Sequence, residues 1–399
     1  MSKFLQSFSK RLMILIGLCV LCIVPIAAQD DASDAYTEAL RRIEEARVSN
    51  ASTLNLSDLT DLEELPPEIS QLVGLSSLDL SYTSLSTFPV EITTLHNLTS
   101  LNAASTLLKT LPPQIGQLKQ LESLLLSGSQ ITYLPAEIGE LKKLDYLELA
   151  DLPLKVLPPE LGSLTQLKAL ILYGTKTSFP SEFSGLTSLE WLSLGGLPIT
   201  LPPELFLLKN LRKLEVVNGQ LSSLPPEIGQ LTQLESLTLM YNPLTDLPKE
   251  ISQLTHLKKL YLDHTSLTNL PIATMQLMSL EELGLVGTEI EVLPPEIGQL
   301  KTLTKLYLRD TPLKTLPYEM GQLSQLTILE LNNSLLAFPP PEIQAQGTQA
   351  ILAYLRDYQA MLVRQTIASI AAGIGGLAML ILAFRWRQRR GLGEKKKRL

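Results

Sequence analysis

The chain has 399 residues, of which 45% are hydrophobic and 18% are charged, and its formal net charge is −7. An acidic protein repels phosphate backbones, so this balance disfavours nucleic-acid binding. Two cysteines and three histidines are too few and too scattered to predict a disulfide framework or a zinc site.

The first 28 residues have the pattern of a secretory signal peptide. Three basic residues precede an apolar run over residues 12–26, and two alanines follow that run. We predict cleavage after Ala28. An uncleaved membrane anchor remains the alternative, because Ile26 is larger than the small residue usual three places before a cleavage site.

Residues 29–50 are predicted to form an N-terminal capping helix for the region that follows. Tyr36, Leu40 and Ile43 recur at helical spacing, with charged residues at the positions between them. This spacing places the three side chains on one face of a short helix. We expect that face to cover the first turn of the repeated region.

A repeated segment occupies residues 51–346. The stretch Leu-Pro-Pro-Glu-Ile-Gly-Gln-Leu at residues 224–231 recurs at residues 293–300, and related stretches return every 23 residues, shortened to 22 three times. A fixed step of this size predicts a solenoid in which each unit packs on the next. No unit is expected to fold alone, because its leucines would stay half exposed.

Each unit is predicted to contribute one short strand and one return segment. The spacing L-x-x-L-x-L puts Leu78 and Leu80 on one face of a strand and Ser77 and Asp79 on the other. The Pro-Pro pair blocks a regular strand in the return segment, which is then extended or a short helical turn. Stacking thirteen units predicts one parallel sheet.

These repeats resemble the leucine-rich repeat family, and specifically its short 23-residue class, found in Ras-associated scaffolds, plant disease-resistance-like proteins and many bacterial proteins. The resemblance implies an α/β solenoid with a parallel sheet on the concave face, extended or short helical segments on the convex face, and helical caps. The family usually places asparagine at the ninth position of each unit, whereas this chain has only Asn242 there and mostly threonine or serine elsewhere. We therefore expect looser, slightly more mobile turns around repeats four to seven.

The C-terminal part of the sequence predicts a membrane anchor. Residues 347–365 are expected to form a C-terminal cap and juxtamembrane helix, and residues 366–384 contain no charge. At about 1.5 Å per residue, that run is long enough to cross a bilayer of about 30 Å. The basic tail over residues 385–399 is expected in the cytoplasm, which places the solenoid outside.

A helix contact between two copies is a further possibility in this anchor. Ala368, Ala372 and Gly376 lie four residues apart, and small residues at this spacing permit close packing of membrane helices. The sequence thus allows a homodimer through this face.

No residue pattern indicates catalysis, a cofactor or a metal. The chain lacks a phosphate-binding G-x-x-x-x-G-K-[ST] segment. The glutamate of each Pro-Pro-Glu stretch recurs because the repeat recurs, so no carboxylate pair stands out. Residues 29–384 contain 22 basic and 39 acidic residues. We predict a non-enzymatic protein with an acidic ectodomain.

Partner binding is predicted on the exposed side of the sheet, which is the usual binding surface in the family. Aromatic residues and arginine concentrate binding energy at interfaces. The candidate contact residues are Leu125, Tyr146, Ile171, Tyr173, Trp191, Met240, Tyr241, Tyr261, Tyr307 and Arg309. We predict a receptor-like or scaffold-like protein that binds a protein or peptide outside the membrane. An adhesive or structural role, with envelope material or glycans as the contact, is the alternative, and a scaffold facing the cytoplasm is a third reading that the basic tail disfavours.

Overall fold

The computed structural model describes residues 31–332 and 335–370, with side chains described from residue 35 onward. The described residues contain one parallel sheet of 13 strands, and the strands follow one another in chain order. The predicted solenoid is confirmed. The strands are β1 Thr53–Asn55, β2 Ser77–Asp79, β3 Ser100–Asn102, β4 Ser123–Leu125, β5 Tyr146–Glu148, β6 Ala169–Ile171, β7 Trp191–Gly195, β8 Lys213–Val217, β9 Ser236–Thr238, β10 Lys259–Tyr261, β11 Glu282–Gly284, β12 Lys305–Tyr307 and β13 Ile328–Glu330.

The leucines of each repeat form the core, as their spacing predicts. Leu78 is buried in β2, and it pairs in register with Leu54 of β1 and Leu101 of β3. Leu80, just after the strand, is buried as well, whereas Ser77 and Asp79 face outward and are half-buried. Because the same register holds along the sheet, leucines stack on leucines from one end to the other.

The return segments form short helical turns rather than extended chain. Twelve 3-10 helices of five residues are present among the described residues, each entered from a proline. In the first of them, Pro66 is extended with ψ of 129° and Pro67 opens the turn, where a missing N–H costs no hydrogen bond. The helical turns are Pro67–Gln71, Val90–Thr94, Pro113–Gln117, Ala136–Glu140, Pro159–Ser163, Ser181–Gly185, Pro203–Leu207, Pro226–Gln230, Lys249–Gln253, Ile272–Gln276, Pro295–Gln299 and Tyr318–Gln322.

The ninth position shows why asparagine and threonine are not equivalent. The Asn242 side chain donates to the carbonyl oxygens of Val216 and Leu239 and accepts from the amides of Gly219 and Leu221, which ties two repeats together. A threonine such as Thr265 donates only to a carbonyl three residues earlier in its own repeat. One hydroxyl cannot replace the two donors and the acceptor of an amide.

The strand lengths do not support the expectation that repeats four to seven are looser. There β7 and β8 are the longest strands in the described part of the sheet, and they pair over five residues. Thr175 also links two repeats, because its hydroxyl donates to Leu149 O and accepts from the Leu152 amide. Higher mobility in this zone therefore stays a prediction.

The N-terminal helix α1, Asp31–Ser49, covers the first repeat with a different face from the one predicted. Its buried residues are Ala35, Ala39, Ile43 and Ala46. Tyr36 is 39% exposed and Leu40 is only half-buried, so the predicted face was wrong except for Ile43. Small alanines let the helix approach the first turn closely, which a tyrosine on that face would prevent.

The C-terminal cap consists of α2, Pro341–Gln344, and α3, which begins at residue 348 and continues to residue 370. Ile351, Leu352 and Leu355 of α3 are buried against the last repeat. The Arg356 guanidinium donates to Gly321 O at 3.2 Å, so a side chain of the cap satisfies a carbonyl of the last helical turn. The predicted helical caps are thus present at both ends.

Beyond residue 359, α3 leaves the solenoid and its side chains become exposed. No helix among residues 31–332 and 335–370 has the length and apolar character needed to cross a membrane. The predicted signal over residues 1–28 and the basic tail lie outside the described residues. So does most of the predicted anchor, including Ala372 and Gly376.

Candidate partner-binding surface

The outward side of the sheet brings together residues that are far apart in sequence. Parallel pairing places each outward residue beside its counterpart on the next strand, about 4.8 Å away. The candidate residues fall into two groups on this side. The central patch consists of Leu125, Tyr146, Ile171, Tyr173 and Trp191, and the C-terminal patch consists of Met240, Tyr241, Tyr261, Tyr307 and Arg309.

In the central patch, Trp191 is held in place by the neighbouring strand. Its indole N–H donates to Glu215 Oε2 at 2.9 Å, and Lys213 Nζ lies 4.0 Å from the centre of its ring. Lys213 is also 2.9 Å from the Glu215 carboxylate. The indole is therefore fixed between a cation and an anion before any partner arrives.

Tyr146 is fixed in a similar way on β5. Its hydroxyl donates to Glu148 Oε2 at 2.9 Å, and Ser127 donates to the other oxygen of the same carboxylate. Burial, together with the negative charge of Glu148, raises the pKa of the Tyr146 hydroxyl. The Tyr146 side chain is half-buried.

The remaining central residues differ in exposure. Ile171 is only 9% exposed and lies in the floor of the surface, so its prediction as an exposed contact was wrong. Its register partners on the two paired strands are Glu148 and Ser193. Tyr173 is 36% exposed and Leu125 is half-buried, which leaves both accessible.

The C-terminal patch is organised around the carboxylate of Glu282 on β11. Tyr261 donates to this carboxylate at 2.5 Å, and the ammonium groups of Lys259 and Lys305 lie 3.2 Å from it. Burial raises the pKa of Glu282, but hydrogen bonds from the tyrosine and both lysines outweigh it, so its pKa is lowered. Residues of three strands are thereby tied into one rigid group.

Asp263 is the most deeply buried carboxylate of this patch, with 5% of its surface exposed. Its Oδ1 accepts the backbone N–H of Val286 at 2.9 Å. Burial raises its pKa, against the lowering effect of backbone amides and of the nearby His264 and Arg309. The strand pattern places Asp263 on the outward side of the sheet, but sequence reasoning did not select it as a contact residue.

Replacing Asp263 by asparagine is expected to raise the melting temperature near neutral pH. The folded-state pKa of Asp263 is raised, so this group favours the folded state only when protonated, and its contribution is lost as pH rises through that pKa. Asparagine can still accept from the Val286 amide without carrying charge. Thermal unfolding of both proteins should therefore differ near neutral pH and converge in acid, and a variant that is less stable near neutral pH would contradict this.

Tyr241 and His264 follow two neighbouring strands with left-handed backbone, at φ of 58° and 55°. Their rings stack, with centroids 4.5 Å apart. The same conformation recurs at the equivalent position of other repeats, at Tyr82, Ser105 and Asp151 among others, so it belongs to the turn that follows each strand. Met240, just before Tyr241, is half-buried, and Arg309 pairs with Glu330 at 3.2 Å.

Similarity to known proteins agrees with this architecture. Family profiles described as leucine-rich repeat region and leucine rich repeat match residues 113–221 and 209–267. A solved leucine-rich repeat protein of Leptospira interrogans is 36% identical, over 73% of this chain and 87% of that chain, with a TM-score of 0.60. The chain belongs to the leucine-rich repeat family. No curated protein matches it.

Two other leucine-rich repeat structures extend the comparison. An internalin of Listeria monocytogenes is 20% identical over 78% of this chain and 91% of that chain, with a TM-score of 0.62, and shares the fold. The Arabidopsis receptor kinase HAESA, solved with the peptide hormone IDA and a co-receptor, is 28% identical over 77% of this chain and 58% of that chain, with a TM-score of 0.59. Among the described residues, no group of His, Cys, Asp and Glu side chains is arranged to hold a metal ion.

Proposed function

We propose that this leucine-rich repeat protein binds a protein or peptide partner on the outward side of its sheet, as a receptor-like or scaffold-like module without catalytic activity. The observation that carries the proposal is how the aromatic side chains there are buried and hydrogen-bonded. Tyr146, Trp191 and Tyr261 are half-buried, and the polar end of each is hydrogen-bonded to a glutamate. Such side chains lose little freedom on binding and offer a large apolar face.

The helical turns on the opposite side of the solenoid offer fewer aromatic faces. In the twelve described turns, Phe183 and Phe206 are buried in the core, and Tyr318 packs against Tyr358 of the cap. Aromatic side chains are the residue type most enriched where binding energy concentrates. The HAESA structure, which includes a peptide hormone, supports a protein or peptide as the class of partner.

The proposal includes a location. We infer a short-class repeat protein with a secretory signal over residues 1–28, a capping helix over 29–50, a solenoid over 51–346, a C-terminal cap over 347–365, a single-pass anchor over 366–384 and a cytoplasmic tail over 385–399. The uncharged run and the basic tail support this topology. Val363, Ile367 and Ile370 of α3 are exposed where the helix leads toward the anchor. A homodimer through Ala368, Ala372 and Gly376 belongs to the same proposal.

Changing Tyr146, Tyr173 and Trp191 together to serine is expected to abolish capture of the partner. The full chain, purified in a mild non-ionic detergent, is immobilised and exposed to surface extract of the source cells. The matched control changes Val73, Tyr133 and Met278 to serine, because these are exposed apolar residues that lie outside the sheet. A protein retained by the parent and the control but lost by the central-patch variant is the predicted result.

Equal capture by all three proteins would reject the central patch as the binding site. Capture by none would favour the adhesive or structural alternative, in which the surface contacts envelope material or glycans. Circular dichroism and melting curves of the three proteins must agree for the comparison to count, since each variant alters only exposed or half-buried side chains.

A further inference from the structure

Asp263 differs from the other carboxylates around it in having no cation of its own. The ammonium groups of Lys259 and Lys305 lie on Glu282, and the guanidinium of Arg309 lies on Glu330. Among the described residues, no lysine, arginine or histidine comes within ion-pairing distance, 4.0 Å, of the Asp263 carboxylate. This buried acid therefore has no ion-pair partner among the described residues.

The adjacent strand is shaped to make room for this carboxylate. A Cβ atom on Gly284 would lie 2.4 Å from Asp263 Oδ2 and 2.8 Å from the Tyr261 ring, and a Cβ on Gly287 would lie 2.4 Å from the His264 ring. Any other residue at these two positions would displace the acid or the rings beside it. Gly284 thus leaves room for the Asp263 carboxylate and the Tyr261 ring, and Gly287 leaves room for the His264 ring.

Burying a carboxylate without a cation costs stability. Asparagine would keep the hydrogen bond from Val286 without that cost, since its oxygen accepts in the same way. A buried carboxylate that destabilises the fold is explained if it pairs with a charged group of a ligand. The neighbouring rings suit a positive ligand, because aromatic faces attract cations.

We propose that Asp263 receives a lysine or arginine side chain of a peptide partner, with Tyr261, Tyr307 and His264 lining the contact. The inference rests on the proposed function and names the chemistry of the partner at this point of the sheet. The cation would pair with Asp263, which has no ion-pair partner of its own, through a charge-assisted hydrogen bond. The acidic excess of residues 29–384, 39 acidic against 22 basic residues, also attracts a basic partner over distance.

The lysines and the arginine of the patch do not prevent this approach. Each of them already pairs with a glutamate at 3.2 Å, the two lysines with Glu282 and the arginine with Glu330. Asp263, Glu282 and Glu330 equal Lys259, Lys305 and Arg309 in number, but all three cations lie on the two glutamates, so Asp263 is the carboxylate left for an arriving cation.

The test begins with a random-peptide display library selected on the immobilised full chain in a mild non-ionic detergent. The strongest peptide is synthesised in its selected form and with its basic residue changed to glutamine. Both peptides are titrated against the parent, Asp263→Asn and the matched control Asp79→Asn. Asp79 is a carboxylate on the same side of the sheet whose Oδ1 already accepts from Ser81.

The expected result is a selected pool enriched in lysine and arginine. Asp263→Asn and the change in the peptide should each weaken binding about tenfold or more, and the two together should weaken it no further than either alone. Asp79→Asn should bind like the parent. The peptide change needs no alteration of the protein, so this arm of the test is independent of folding.

Selected peptides that bind equally well to Asp263→Asn, or a pool without basic residues, would overturn the inference. If such peptides still lost binding to the variant with serine at Tyr146, Tyr173 and Trp191, the proposed function would survive without it. A library that yields no binding peptide would count against both, because the proposed function itself predicts a peptide-binding surface.

Discussion

Replacing Gly162 by alanine is expected to destabilise the protein by about 3 kcal/mol, as overpacking of a close contact does at its upper range. A Cβ on Gly162 would lie 2.0 Å from the backbone carbonyl oxygen of Glu182 in the next helical turn. Backbone cannot rotate away as a side chain can, so the two turns must separate. Separation would also loosen the leucines that the turns hold against the core.

Gly74 provides the control for this prediction. A Cβ at Gly74 would meet no atom within 4 Å, so Gly74→Ala should leave stability unchanged or raise it by up to about 0.5 kcal/mol through the unfolded chain. Chemical unfolding of the two variants, with hydrogen exchange of the helical turns, measures both effects. Equal stability of the two variants would show that the turns are not packed as closely as described.

Replacing Asn242 by alanine is expected to cost about 3 kcal/mol, because it strands several buried backbone groups at once. The amides of Gly219 and Leu221 lose their acceptor, and the carbonyl of Val216 loses its donor. Water can reach some of these groups only by opening the contact between two repeats. The loss should therefore appear in both repeats and not only in the one that carries the substitution.

The same substitution in the next repeat is expected to be much milder. Thr265 occupies the equivalent position and makes one hydrogen bond, to Leu262 O, so Thr265→Ala should cost about 1 kcal/mol. Urea unfolding of both variants against the parent gives the two values. If Thr265→Ala proves as costly as Asn242→Ala, the amide does not hold repeats together in the way its contacts indicate.

The fold could be predicted from the sequence because every repeat contains the same structural signals. Alternating leucines select a strand, paired prolines prevent it from continuing, and a constant step fixes the register between neighbours. Thirteen repetitions leave little room for another arrangement. The sequence allows both an extended and a helical return segment, and local hydrogen bonds such as that from the Leu72 amide to Ile69 O select the helical one.

The packing of the ends could not be predicted in the same way. A helix such as α1 has two apolar faces that share Ile43, and hydrophobicity favours the one with Tyr36 and Leu40. The structure uses the alanine face because close approach to the first repeat matters more than the size of the side chains. Such a choice depends on the shape of the partner surface, which a sequence pattern does not contain.

The sequence predicted which residues lie on the outward side of the sheet, but not the contacts that hold their side chains. Spacing placed Tyr146 and Trp191 on the outward side of the sheet, yet their bonds to Glu148 and Glu215 depend on the rotamers of both partners. Room for the Asp263 side chain depends likewise on Gly284 in the following repeat. These are contacts across strands, and each arises from a pair of residues rather than from either one.

Side-chain footprinting of the full chain with hydroxyl radicals, with and without a selected peptide, tests most directly whether the sheet is the binding surface. Tyr241 in the C-terminal patch and Tyr133 outside the sheet are matched in exposure, at 51% and 52%. The predicted result is lower oxidation of Tyr241, Tyr173 or both on peptide binding, with Tyr133 unchanged. Unchanged oxidation of both Tyr241 and Tyr173, or protection of Tyr133 alone, would contradict the account.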